Sequence, residues 1–294
     1  MRMDGRRTSG NVDDRRGRGF SGKTLGIGGG IVGVIVMAAI TLFSGGSLSD
    51  VLGGVLGSGL TGGQVGYSQQ DYQPTAEDEQ LATFASQVLA GTEDVWTREF
   101  QRQGWGEYEC PKLVLFSGSV NSACGNATAQ TGPFYCSADQ TVYIDLDFFK
   151  EMGSTIGADG DFAYAYVIAH EVGHHVQYLL GTLTDAHDAM SRMSETEANK
   201  ISVRLELQAD FYAGVWAALD NQMFNSLEEG DVEKAINAAS KIGDDYLQKK
   251  AYGREIPDSF NHGRSEQRVR WLSKGLRTGD PNQGDTFTPA YSQL

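Results

Sequence analysis

Residues 24–49 contain no charged side chain, and residues 25–43 within them read LGIGGGIVGVIVMAAITLF. At helical rise such a stretch extends about 28 Å, close to the thickness of a bilayer's hydrocarbon core. A helix without a polar face does not suit the half-buried positions of a small domain. Its glycines would weaken it in water but are common in membrane helices. Ahead of it, residues 1–24 carry seven basic groups (Arg2, Arg6, Arg7, Arg15, Arg16, Arg18, Lys23) against three acidic ones (Asp4, Asp13, Asp14), and the next basic residue after Lys23 is Arg98. Under the positive-inside rule the head 1–24 stays cytoplasmic and everything after residue 43 lies outside. A buried core helix and a signal peptide cut near Ser44 or Gly46 are the rival readings. The head is long for a signal peptide. The expectation is therefore an uncleaved, single-pass cell-membrane anchor, with the N-terminus cytoplasmic and the main body extracytoplasmic.

The 294 residues are 40% hydrophobic, enough for one substantial core or two small domains. Of the formal net charge of −14, the first 24 residues hold +4, which leaves −18 on the rest. So acidic a body repels phosphates, and no nucleic-acid partner is expected. Residues 44–74, rich in Gly, Ser and Gln, read as a flexible stalk, although Val51, Leu52, Val55 and Leu56 would also suit a membrane surface. A domain is expected over 75–285, with 286–294 as a C-terminal tail. Thr75-x-x-Asp78 is a capping signal ahead of Leu81, Phe84, Ala85, Val88 and Leu89 at helical spacing, and a second short helix should carry Trp96 and Phe100. Residues 113–116 (LVLF) and 141–146 (TVYIDL) read as strands. Helices are predicted over 161–181, 190–219 and 231–250, with a last one after Ser265. A small sheet followed by a run of helices is an α+β arrangement. The three cysteines lack CxxC spacing and suit an oxidising compartment. The Gly/Ser/Thr-rich loop between Cys124 and Cys136 favours a disulfide there and leaves Cys110 spare.

The chemistry concentrates at residues 167–176, VIAHEVGHHV. On a helix, His170 and His174 lie one turn apart on one face and can share a Zn²⁺ ion. Glu171, about 100° further round, sits beside such an ion rather than on it. From there it can take a proton from a water activated by the metal and hand it to a leaving amine. This is the HExxH signature of zinc peptidases. A plain buried helix also carries histidines, but four of the chain's five fall within residues 170–187. A catalytic zinc needs a third protein ligand. In residues 204–210, RLELQAD, Glu206 and Asp210 are again four apart among apolar neighbours, where unpaired carboxylates are costly. Glu206 is expected to bind the metal and Asp210 to accept the N–H of His170 or His174; the bland alternative is a solvated helix face. His187, Glu195, Glu197 and His262 are the other candidates for third ligand. His187 reads as a loop residue. His262, just before the last helix, is placed to donate to the oxyanion of a tetrahedral intermediate or simply to shape a capping loop. His175 falls at the edge of the active face and reads as structural.

HEVGHH followed by ELQAD resembles the gluzincin zinc peptidases. SACG at 122–125, GPFYC at 132–136, VYID at 142–145, AYVIAHEVGHHVQ at 165–177, LELQAD at 205–210 and HGRSEQRVRW at 262–271 together resemble the bacterial putative neutral zinc metallopeptidase family. The likeness covers roughly residues 75–285. It implies one catalytic zinc held by His170, His174 and Glu206, with Glu171 as general base, a peptide or protein substrate and an N-terminal membrane anchor. It also suggests that the strand at 141–146 is an edge to which an extended peptide adds. Cys110 lies outside the family pattern. The competing reading is a catalytically silent zinc-site protein serving as a membrane-attached binding or assembly module; a retained Glu171 argues against it.

Overall fold

The computed structural model of the chain describes residues 1–17, 73–128 and 131–294. The expected anchor at 25–43 and nearly all of the stalk at 44–74 lie outside the described residues. Among the described residues no helix is long and apolar enough to cross a membrane.

Thr75 starts the first helix, α1 (Ala76–Gln103), by the predicted capping box: its side chain accepts from the Asp78 amide, and the Asp78 carboxylate accepts from the Thr75 amide. Two helices were expected here, yet the chain runs through without a break. Val88, Leu89, Trp96 and Phe100 are all buried on it, so the apolar face continues across Gly91. The strands follow: β1 (Val12–Asp14) from the N-terminal segment, β2 (Lys112–Phe116), β3 (Ser119–Ser122), β4 (Gly125–Thr128), β5 (Phe134–Cys136) and β6 (Thr141–Asp145). A four-stranded sheet has the order β1-β2-β6-β5, with β1, β2 and β6 parallel and β5 antiparallel to β6; β3 and β4 form a separate hairpin. The strand at 141–146 is therefore not the expected edge. Every residue of β6 is buried, as befits an inner strand, and the edge beside it is β5. The Cys124–Cys136 disulfide ties β5 to the start of β4, and Cys110 is free and exposed, as expected.

The second half is helical. α2 (Leu146–Glu151) leads through a short wider turn to α3 (Asp161–Leu179), followed by α4 (Thr182–Met190), α5 (Glu195–Phe224), α6 (Asp231–Lys241), α7 (Asp244–Tyr252) and α8 (Ser265–Thr278). The helix expected over 231–250 is split at Gly243, where a Cβ would collide with the backbone of Ser265. The mixed α+β class holds, with helices dominant. The tail at 286–294 is not loose: Thr286 is buried and its hydroxyl donates to the Arg204 carbonyl at 2.7 Å.

One feature departs from the expected organisation. Residues 1–17, read as part of a head set apart by the apolar stretch, pack on the domain. β1 pairs with β2, and Met1 and Ser9 are buried. The arginines of this segment have carboxylate partners on the chain: Arg6 with Asp220, Arg7 with Asp94 and Glu93, and Arg16 with Asp14 and Glu79. Their charge serves folding contacts, which counting basic residues along a sequence does not reveal.

Candidate metal centre

α3 and α5 form the walls of the site and pack closely because residue 173 is glycine. A Cβ there would lie 2.9 Å from the Ala209 carbonyl oxygen. Spacing along α3 puts His170 and His174 on the face turned to α5, and α5 answers with Glu206. His170 Nε2 lies 3.2 Å from Glu206 Oε2, and His174 Nε2 lies 3.3 Å from Glu206 Oε1. All three side chains are buried, and their ligand atoms fall within 4.8 Å of one another.

The hydrogen bonds behind these atoms fix the imidazole tautomers. His170 Nδ1 is 2.9 Å from Asp210 Oδ1, and a carboxylate can only accept, so that nitrogen carries the proton. The Gln177 side-chain nitrogen donates to the Leu205 carbonyl at 2.8 Å and to Gln208 Oε1 at 3.0 Å. Its oxygen therefore faces His174 Nδ1 at 2.9 Å and accepts from it. With both Nδ1 atoms protonated, each neutral ring presents an Nε2 lone pair toward an anionic carboxylate. Three electron-pair donors then converge in a buried space, which is stable only around a cation. Ligand atoms about 2.0–2.1 Å from a tetrahedral zinc stand about 3.3 Å apart, so the separations fit that ion.

The electrostatics say the same. Burial alone would lower the His170 pKa, but Asp210 and Glu206 overcome it and push it up to about 10, so in the absence of metal a proton takes the place of the ion. Burial would raise Glu206, yet His174 and His170 hold it well below the usual carboxylate range. Glu171 goes the other way: burial raises its pKa, and the two imidazoles offset that only in part. A carboxyl with an elevated pKa beside the metal position is suited to accept and return a proton.

Asp210 takes its predicted place and its ring is His170. It also accepts from the Tyr166 hydroxyl at 2.6 Å and from Arg268, whose Nε and Nη2 lie 2.8 and 2.9 Å from its two oxygens. Arg268 Nη2 is in turn 3.8 Å from Glu206 Oε2. Arg268, Tyr166 and Gln177 were missed as site residues in the sequence, although all three lie in the quoted motifs. Gln177, three residues after His174, and Tyr166, four before His170, offered a spacing signal on the same helix; Arg268 offered none. His262 is not a ligand. Its Nδ1 lies 3.0 Å from Asp244 Oδ1, and Asp244 Oδ2 accepts from the backbone amides of His262 and Gly263. Burial lowers the His262 pKa, but Asp244 raises it further, with Glu206 adding to the rise.

The remaining candidates fall away for plain reasons. Glu195 and Glu197 lie exposed on the first turn of α5, and Glu197 pairs with Lys200 at 2.6 Å. His187 sits on helix α4 rather than in a loop, outside the metal cluster. His175 is structural: its Nε2 donates to the Glu109 carbonyl at 2.6 Å, its Nδ1 accepts from the Tyr135 hydroxyl at 2.9 Å, and burial lowers its pKa to about 4.

Residues 1–287 match the family described as "putative neutral zinc metallopeptidase". The chain is 44% identical over 295 residues to "Uncharacterized protein YpfJ" of Escherichia coli (strain K12), covering 98% of this chain and 99% of that protein. It is 42% identical over 193 residues to "Uncharacterized protein Rv2575" of Mycobacterium tuberculosis (strain H37Rv), covering 62% and 64% of the two chains. No solved structure matches. The chain belongs to the putative neutral zinc metallopeptidase family.

Proposed function

We propose that the chain is a zinc-dependent peptide hydrolase, attached to a membrane through residues 25–43. The observation that carries this reading is the convergence of two Nε2 lone pairs and the Glu206 carboxylate, with a basic Glu171 beside them. His170, His174 and Glu206 would hold the ion. Zn²⁺ there supplies Lewis acidity toward a water and a peptide carbonyl. Glu171 takes the proton from the attacking water and delivers it to the leaving nitrogen. Asp210 and Gln177 keep the two imidazoles in the tautomer and orientation that binding requires.

His262 supports the developing oxyanion. Because Nδ1 donates to Asp244, Nε2 carries a proton to donate only when the ring is an imidazolium. The raised pKa keeps that form present above the usual histidine range. Hydrolysis is expected to fall as the pH rises through it, and that alkaline limb should move to lower pH in Asp244→Asn. A limb that stays in place removes His262 from this role.

For the substrate, the outer edge of β5 replaces the strand first expected. An extended peptide can add there by backbone hydrogen bonds, and Tyr135 of β5 links that edge to the metal helix through His175. The test is metal analysis of the purified full chain together with cleavage of a peptide library. Glu171→Gln should retain one zinc per chain and lose about 10²–10⁴-fold in rate. A zinc-loaded wild type that cleaves no peptide would leave the silent zinc-site reading in its place.

A further inference from the structure

Arg6 grips Asp220 with both terminal nitrogens, at 2.7 and 3.2 Å, while its guanidinium lies 3.8 Å from the centre of the Phe224 ring. Asp220 is fully buried on α5. Arg7 reaches Asp94 at 2.6 Å and Glu93 at 2.9 Å, and the Ser9 hydroxyl and Asn11 amide donate to the same Glu93 at 2.5 and 2.8 Å. Next comes β1, in register with β2, Val12 opposite Leu113. Arg16 closes the segment: it donates to the Asp78 carbonyl oxygen at 2.9 Å and pairs with Glu79 at 3.0 Å, both in the first turn of α1. The chain thus departs near residue 17 and returns near residue 73 at one place on the domain.

A hydrocarbon core about 30 Å thick cannot stand between groups in hydrogen-bond contact. Among the described basic residues of the head, Arg2, Arg6, Arg7 and Arg16 are engaged with carboxylates of the domain. Arg6 and Arg16 are largely buried against carboxylates of the same chain, and withdrawing Arg6 and Arg7 would leave Asp220 and Glu93 charged, buried and without their cations. We infer that residues 1–17 and the metal-site domain occupy the same side of the membrane. This rests on the membrane attachment proposed above but not on the hydrolase activity, since no residue of the metal centre takes part.

The direct test uses the full chain in a cysteine-free background (Cys110→Ser, Cys124→Ala, Cys136→Ala), with either Thr8→Cys or Lys249→Cys, both at exposed positions. A membrane-impermeant maleimide is applied to right-side-out and inverted vesicles. Labelling of both thiols in the same vesicle type supports the inference; labelling in opposite types overturns it. Loss of the disulfide can impair folding, so a second measurement keeps the native cysteines. A protease site is placed at 60–66 and vesicles are cut from the side on which the domain lies. The domain should stay with the vesicle pellet, held by residues 1–17, and should move to the supernatant when Arg6→Ala and Arg7→Ala are combined. A wild-type domain that is released on cutting overturns the proposal.

Discussion

Helix α5 carries two buried carboxylates with different fates. Near its end, Asp220 is neutralised by Arg6, a cation that belongs to the same chain and arrives when the chain folds. About four turns earlier, Glu206 faces two imidazole nitrogens whose protons have been drawn to the far side of each ring. Arg268 lies 3.8 Å from it but is committed to Asp210. Burying charge costs several kcal/mol per ion unless something opposite meets it. At Asp220 folding supplies the counter-charge; at Glu206 folding leaves a standing demand for one. A binding site for a cation is, in this sense, an ion pair with one member withheld.

The comparison breaks most visibly at Arg6. Arg6→Ala leaves Asp220 buried and alone, and a loss of about 3–5 kcal/mol is expected by thermal or denaturant unfolding of the full chain. Adding Asp220→Ala should recover much of it. A loss below about 1 kcal/mol would put this pair with exposed surface bridges and remove the contrast. Arg268→Lys sharpens the other half. Lysine keeps the charge but not the fork that holds both oxygens of Asp210, so metal affinity should weaken about 10–100-fold in competition with a chelator while the fold stays intact. Unchanged affinity would show that His170 is oriented without it. Thr75→Ala, distant from both sites, should cost about 1 kcal/mol through the lost cap, with no effect on metal binding.

The centre itself was largely legible. His170, Glu171, His174, Glu206 and Asp210 declare themselves by fixed spacing along helices, and spacing is what a sequence records. The Cys124–Cys136 pair was legible for a similar reason, since a short loop brings its ends together. What spacing does not record is partnership across the fold. Arg268 meets Asp210 from another helix, and Asp244 reaches His262 over a turn and a helix start. The inner position of β6 depended on β5, too short to show alternation, and on β1, which comes from beyond the apolar stretch. The folding contacts of residues 1–17 were not legible: the arginine pattern matches a membrane-orientation signal, while the partners of Arg6 and Arg7 lie far away in sequence, at residues 93, 94 and 220. α1 was divided into two helices in the reading but runs on through Gly91, where Asp220 and Arg6 crowd the position and leave no room for a larger side chain.

Gly173 has a consequence for how inactive variants are interpreted. It binds nothing and transfers no proton, but it sets how near two backbones can come. A single methyl added there would press on the Ala209 carbonyl and push one wall outward, lengthening every distance from imidazole to carboxylate at once. Loss of activity at this position would report a change of span, and it should not be counted as a sixth participant in the chemistry.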